Sequence, residues 1–314
     1  MLAKITVVGA GNVGATLAQR LAEKQLAAEV SMVDIIPGLP EGKALDMWES
    51  GPIEGFDTKV SGSTDFSLLK GSDIVVVTSG VPRQPGQSRS DLLGVNAKII
   101  KDVAGKVRDL APNAVVVMVT NPLDVMAHLA LKTTGFPKGR LVGMAGILDT
   151  ARYRTFIHEA TGVSMKDITA FVLGGHGDSM VPLPSYTQVA GRPLAEVLTA
   201  DKVEALVKRT RDGGAEIVKL LQKGSAYYAP SAAVAEMVDA IAKDRKRILP
   251  CSAYLDGEYG MSGVYLGVPV VLGRAGVERV VELKLHPQEL EALRRSGAEV
   301  AKDIEELRRQ GFES

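Results

Sequence analysis

The sequence predicts an α/β protein: a doubly wound parallel sheet with helices on both faces, followed by an α+β domain containing antiparallel strands. Three observations carry this expectation. Short apolar runs alternate with amphipathic stretches through the first half of the 314 residues, as repeated strand–helix–strand units require. Those runs are nearly continuous in β-branched residues, which marks strands buried on both faces. In the second half the regular alternation is lost, and strand-like runs fall irregularly among helices. The length suits about two domains, and the expected division is residues 1–145 and 146–314.

Ile5–Val8, Val30–Val33, Ile74–Thr78, Val115–Val119 and Leu141–Val142 read as the parallel strands. Between them Val13–Lys24, Pro40–Glu49, Leu92–Leu110 and Pro122–Thr133 have helical spacing and length. In the second half Asp149–Thr161, Ala200–Leu221 and Ser231–Lys243 read as helices, and Ile168–Leu173, Ala253–Leu255 and Val264–Val271 as strands. Pro269 removes a ladder donor, so Val264–Val271 is expected to be antiparallel or edge material. A charged helix from His286 to Gln310 closes the chain. No repeat or low-complexity linker separates the halves, so they are expected to pack closely.

Composition excludes several classes of function. Basic and acidic residues both number 37, with 15 of each up to Thr150 and 22 of each beyond it. Neither half carries the excess of a nucleic-acid or membrane-surface binder, so any positive field must be local. The single cysteine, Cys251, excludes an intramolecular disulfide and a cysteine-based zinc site, and reads as core filler. No metal is expected. The start, Met1-Leu2-Ala3-Lys4, runs straight into a strand pattern without a signal-peptide core. The apolar stretches are shorter than the roughly 20 residues of a membrane helix, so a soluble, cytoplasmic protein is expected.

Gly9-Ala10-Gly11-Asn12-Val13-Gly14 follows the first strand and opens a helix. That context is the dinucleotide-binding fingerprint of a Rossmann domain. The first glycine permits a tight turn, the second lets a pyrophosphate approach the backbone, and the third lets helix and strand pack closely. The amides of the helix start then favour the phosphates. Asp34 ends the next strand, where a carboxylate accepts from both ribose hydroxyls and repels a 2′-phosphate; NAD is therefore expected over NADP. Strand ends line the ligand crevice of such a sheet. Two such ends are Thr78-Ser79-Gly80 and Val119-Thr120-Asn121-Pro122, though Asn121 also suits an ordinary turn.

Val81-Pro82-Arg83-Gln84-Pro85-Gly86-Gln87-Ser88-Arg89 forms a loop with two arginines six residues apart. Arginine forks bind carboxylates bidentately, and a closing loop expels water; read alone, the segment is equally an exposed charged turn. Asp149 and Arg152 project to one helix face, either as a simple ion pair or as an orienter and an anion anchor. Gly174-Gly175-His176-Gly177-Asp178 leaves one of four histidines uncovered between glycines, and imidazole gives and takes protons near neutrality.

In this order these motifs resemble the malate/lactate dehydrogenase family from Gly9 to Asp178, and the remainder is compatible. The resemblance implies that His176 is the proton acceptor and Asp149 its orienter. Arg152 would pair with the C1 carboxylate, Arg89 would polarise the carbonyl, Arg83 would pair with a distal carboxylate, and Asn121 would bond the reacting oxygen. Gly9, Ala10, Gly11, Asn12, Val13, Gly14, Asp34, Asn96, Val119, Thr120 and Asn121 would contact NAD. Within the family the chain resembles the lactate-dehydrogenase-like group of malate dehydrogenases. It has Arg83, Gly175 and Ala226 where lactate enzymes usually carry glutamine, glutamate and threonine. The implied activity is reversible NAD-dependent oxidation of (S)-malate to oxaloacetate, a step of the tricarboxylic acid cycle. The implied partners are a small dicarboxylate substrate and further copies of the chain in a homodimer or homotetramer, with no nucleic acid or membrane. Lactate dehydrogenase and a non-catalytic dinucleotide-binding regulator are the alternatives.

Overall fold

The computed structural model describes residues 2–82 and 89–313; for Arg89 and Ser90 it describes the backbone alone. The strands are β1 Leu2–Val8, β2 Ala27–Val33, β3 Lys59–Ser63, β4 Ile74–Val77, β5 Val115–Met118 and β6 Leu141–Gly143, then the short β7 Ile168–Thr169, β8 Val172–Leu173, β9 Val181–Pro182, β10 Gln188–Val189 and β11 Arg192–Pro193. Three longer strands follow: β12 Arg247–Asp256, β13 Ser262–Gly273 and β14 Gly276–Val280. The helices are α1 Asn12–Glu23, α2 Leu39–Glu49, α3 Gly51–Glu54, α4 Arg89–Leu110, α5 Leu123–Thr134, α6 Gly146–Thr161, α7 Leu194–Val197, α8 Ala200–Leu221, α9 Tyr228–Ala242 and α10 Pro287–Arg309.

Among the described residues the main sheet has nine strands in the order β14-β13-β12-β6-β5-β4-β1-β2-β3. Pairing from β3 across to β6 is parallel. The chain winds outward from β1 in one direction and from β4 in the other, so the ligand crevice lies at the carboxyl ends of these two strands. The runs Ile74–Val77 and Val115–Met118 are buried along their whole length, because helices cover both faces.

The expected strands and helices recur with shifted ends, and two differences are physical. β3 was not anticipated, because Lys-Val-Ser-Gly-Ser lacks apolar character. Its Gly62 is needed for close packing: a Cβ there would lie 2.0 Å from the Pro40 carbonyl oxygen at the start of α2. The expected strand Ile168–Leu173 divides into β7 and β8, which pair in separate small sheets.

The halves do not build separate large sheets. β12 pairs antiparallel with β6 through Ser252 and Gly143, and β13 and β14 continue the same sheet outward. Val264–Val271 lies within antiparallel β13, where Tyr265 to Val271 pair with β12 and only Val270 and Val271 also pair with β14. Cys251 is fully buried in β12, and burial pushes its thiol pKa up, as a core residue rather than a reactive thiol requires. Among the described residues no helix is long and apolar enough to cross a membrane.

Candidate active site

The turn after β1 shows why its three glycines are needed. Gly9 has φ +106°, and a Cβ there would meet Thr78 Oγ1 at 2.7 Å and the Ser79 nitrogen at 2.8 Å. A Cβ on Gly14 would lie 1.8 Å from the Gly9 carbonyl oxygen, so α1 packs directly on the strand end. Gly11 has open space where its Cβ would be, which leaves the backbone free for a ligand. α1 has no side-chain cap and no acidic residue in its first turn. Its leading amides therefore face the cleft unneutralised, a ready anion site.

Asp34 closes the other side of this turn. Its Oδ2 accepts from the Ala10 amide at 2.7 Å and its Oδ1 from the Ile36 amide at 3.1 Å. Each oxygen keeps a lone pair for a ribose hydroxyl. Ala10 itself is buried, and its carbonyl accepts from Lys43 Nζ at 2.7 Å. Ala10 thus shapes the turn rather than facing the cleft. Lys43, which clamps α2 onto the turn, is invisible as a site residue in the sequence.

Gly11, Asn12, Val13 and Gly14 line a cleft of about 560 Å³ together with Val119, Thr120, Asn121, Arg152 and His176. The volume lies within the range of small-molecule and cofactor sites. Thr120 Oγ1 donates to the Ser79 carbonyl at 2.7 Å, tying the β4 and β5 ends together. Asn96 belongs to the wall beside this cleft. It is buried, its Oδ1 accepts from the Val81 amide at 2.9 Å, and its Nδ2 donates to the carbonyls of Val81 at 3.1 Å and Asn121 at 2.7 Å. Its side chain holds the cleft wall together. The Asn121–Pro122 peptide is cis.

The facing wall comes from the second half. Asp149 and Arg152 lie one turn apart on α6, and Arg152 Nη1 donates to Asp149 Oδ1 at 3.2 Å. Among the described residues the Arg152 Nε is buried without a hydrogen-bond partner. Its stem lies against α8, where a Cβ on Gly213 would come within 3.2 Å of Arg152 Cδ.

His176 sits on a loop fastened from three sides. Gly174, at φ +88°, exchanges two backbone hydrogen bonds with Gly267 of β13, at 2.8 and 3.0 Å. The Gly175 amide donates to Ser296 Oγ of α10 at 2.8 Å, and the His176 amide donates to Asp124 Oδ2 of α5 at 2.8 Å. The imidazole Nδ1 lies 2.9 Å from Asp149 Oδ2. A carboxylate only accepts, so Nδ1 carries the proton and Nε2 is the free basic nitrogen. Burial by itself pushes the imidazole pKa down; the Asp149 carboxylate, with Asp124 behind it, outweighs burial and holds the pKa above the ordinary histidine value.

Thus the fold brings His176, Asp149, Arg152 and Asn121 to one cleft with the glycine turn. Arg83 and the Arg89 side chain lie outside the described residues; Arg89 is the first residue of α4. The sequence reading missed Asp124, Ser252 and Ser296 around the histidine loop. It also missed Arg211, which lines the cleft and donates from Nε to the Met180 carbonyl at 3.1 Å. Asp124 carried one usable signal, an aspartate in the first turn of α5.

Comparison with known proteins agrees with this geometry. Residues 3–143 match the model of the lactate/malate dehydrogenase NAD binding domain, and residues 147–310 that of the family's alpha/beta C-terminal domain. A malate dehydrogenase from Pelodictyon phaeoclathratiforme is 58% identical over 304 residues, 97% of this chain and 98% of that protein. One from Roseiflexus sp. is 55% identical over 308 residues, 98% of this chain and 99% of that protein. Among solved structures, the Salinibacter ruber malate dehydrogenase superposes with a TM-score of 0.94 at 48% identity, covering 98% of each chain. A Cryptosporidium parvum lactate dehydrogenase in complex with lactic acid and its cofactor superposes as well, with a TM-score of 0.95 at 41% identity and 98% of each chain covered. A glycine turn opposite an Asp-held histidine, and family models matching both halves, together mean that this chain belongs to the lactate/malate dehydrogenase family.

Proposed function

We propose that this chain catalyses the reversible, NAD-dependent oxidation of (S)-malate to oxaloacetate, as a cytoplasmic homodimer or homotetramer. The carrying observation is the Asp149–His176–Arg152 group facing the glycine turn across one cleft. Arg83 and the names of the relatives support malate over lactate. Exposed Leu45 and Trp48 on α2 and Ile53 on α3 support self-association.

The residues present fit a dinucleotide. The α1 amides and Gly11 would hold its pyrophosphate, and Asp34 its adenosine ribose; the like charge of Asp34 disfavours a 2′-phosphate. Bound there, the nicotinamide supplies the hydride acceptor for malate oxidation and the hydride donor for the reverse. His176 takes the hydroxyl proton at Nε2, and Asp149 stabilises the imidazolium that results. In the reverse direction the imidazolium returns that proton to the oxygen of oxaloacetate. The Arg152 fork holds the C1 carboxylate. Arg89 stabilises charge building on the reacting oxygen, Asn121 bonds the same oxygen, and Arg83 pairs with the distal carboxylate.

The test is a comparison of kcat/KM for oxaloacetate and pyruvate, with NADH and with NADPH, in the parent and in Arg83→Gln. Pyruvate leaves Arg83 unpaired in a closed site, at about 2–5 kcal/mol, so a preference for oxaloacetate of roughly 30- to 5000-fold is expected. Arg83→Gln should narrow that ratio by at least about tenfold. An unchanged ratio in Arg83→Gln removes the role of Arg83, and equal use of NADPH removes that of Asp34.

A further inference from the structure

We propose that Asp124 is a positioning residue for the reaction. Its buried carboxylate fixes the His176 loop at a set distance from the Asn121–Pro122 turn and places a second negative charge behind the imidazole. The role rests on the proposed malate dehydrogenase chemistry, in which His176 and Asn121 serve one substrate oxygen.

Three elements meet at this carboxylate. Asp124 stands three residues after Asn121, in the first turn of α5, and is 5% exposed. Oδ2 accepts from the His176 amide at 2.8 Å, and Oδ1 lies 2.6 Å from Ser252 Oγ of β12. Ser252 is itself immobilised. It is fully buried and forms the register pair with Gly143 that joins the parallel and antiparallel parts of the sheet. A Cβ on Gly143 would lie 2.9 Å from that of Ser252. The loop therefore hangs from a point defined by the sheet, and the same point sets where the Asn121 turn lies.

Among the described residues no lysine or arginine forms an ion pair with this buried carboxylate, which is costly, and burial raises the Asp124 pKa despite the hydrogen bonds from Ser252 and the His176 amide and the attraction of the His176 ring. Such an unfavourable group suits a functional role better than a stabilising one. Among the described residues the charged groups around the imidazole are Asp149 and Arg152 of α6 and Asp124 of α5, with Asp178, Arg211 and Asp212 along the same cleft. From α10 the loop is met by Ser296 and Val300. Asp149 holds Nδ1 directly, whereas Asp124 acts through the backbone amide and through space.

Asp124→Asn separates charge from shape. The amide oxygen still accepts from the His176 N–H, whereas at Ser252 the bond reverses: the amide nitrogen donates to Oγ where the carboxylate accepted from it, so shape is kept while the charge is lost. NMR titration of the His176 ring, its signal assigned by loss in His176→Asn, should show a midpoint lower by roughly half a unit or more in Asp124→Asn. The pH midpoint of kcat/KM for malate oxidation should fall in parallel. kcat should drop about tenfold, with KM for the cofactor unchanged. Ser252→Ala, which keeps the carboxylate but loosens its anchor, should lower kcat several-fold and move the ring midpoint less than Asp124→Asn does. A parent-like ring midpoint in Asp124→Asn overturns the electrostatic part, and parent-like kcat in Ser252→Ala overturns the positioning part. Should Asp124→Asn fail to fold, an unchanged kcat in Ser252→Ala alone overturns the proposal. The titration needs no turnover, so a parent inactive on malate would sink the proposed reaction while the ring midpoint still judges Asp124.

Discussion

At the residue scale, His176 was legible because flanking glycines leave an imidazole uncovered, and only four histidines are present. Its tautomer was not legible, since it depends on Asp149 approaching Nδ1 at 2.9 Å. His176→Asn keeps a donor towards Asp149 but offers no basic nitrogen. Turnover should fall by at least about 10³-fold, the upper part of what acid–base catalysis contributes, while the Kd for NADH stays within about twofold. Steady-state assay and fluorescence titration check this together, and a variant retaining a tenth of parental kcat would remove His176 from proton transfer. Asp124 was hidden by an ordinary explanation: an aspartate in a first helical turn normally complements the helix dipole. Asn96 was legible only as a polar residue near the cleft; that it binds three backbone groups needed the fold.

At the element scale, the glycine turn between β1 and α1 carries two different demands in one motif. Gly14 is a packing glycine, with 1.8 Å to the Gly9 carbonyl oxygen from any added Cβ; Gly11 faces open space. Gly14→Ala should cost about 2–4 kcal/mol of stability, as overpacking against backbone does. Gly11→Ala should keep the parental Tm yet weaken the Kd for NADH about tenfold or more, because its methyl occupies space that a pyrophosphate needs. Calorimetry and cofactor titration of both variants separate the two, and equal loss of Tm would contradict the division of roles. Strands of β-branched residues such as Ile74–Val77 were legible from composition, whereas β3 was not. Its place is fixed by β2 beside it and by α2 passing over Gly62, both non-local.

At the scale of the whole molecule, two histidines, His128 buried and His176 partly buried, tilt stability with pH in opposite senses. His128 of α5 lies 2.9 Å from Glu313 and anchors the residues after α10; burial pushes its pKa down although Glu313 pulls it up. Its unfolded pKa is about 6.5, so the unfolded chain binds the proton more readily and stability is lost as pH falls below that value. His176 has a raised folded pKa, so its contribution is complete below about 6.5 and is lost as pH rises through the folded value. Each slope reaches at most about 1.4 kcal/mol per pH unit. The Tm difference between parent and His128→Leu should therefore shrink or reverse as pH falls. Between parent and His176→Asn it should shrink as pH rises. Flat difference curves for the cofactor-free proteins would refute both signs. The sequence by itself determined the alternating α/β architecture, the dinucleotide turn, the place of Asp34 at a strand end and the Asp149–Arg152 spacing on one helix face. Each of these is written in local periodicity, short spacing or residue chemistry. Only the tertiary structure decided that one sheet runs through both halves, and that Asp124, Ser252 and Ser296 hold the histidine loop. Those contacts join residues 52, 128 and 121 positions apart, and a pairing at such separation leaves no mark on the sequence around either partner.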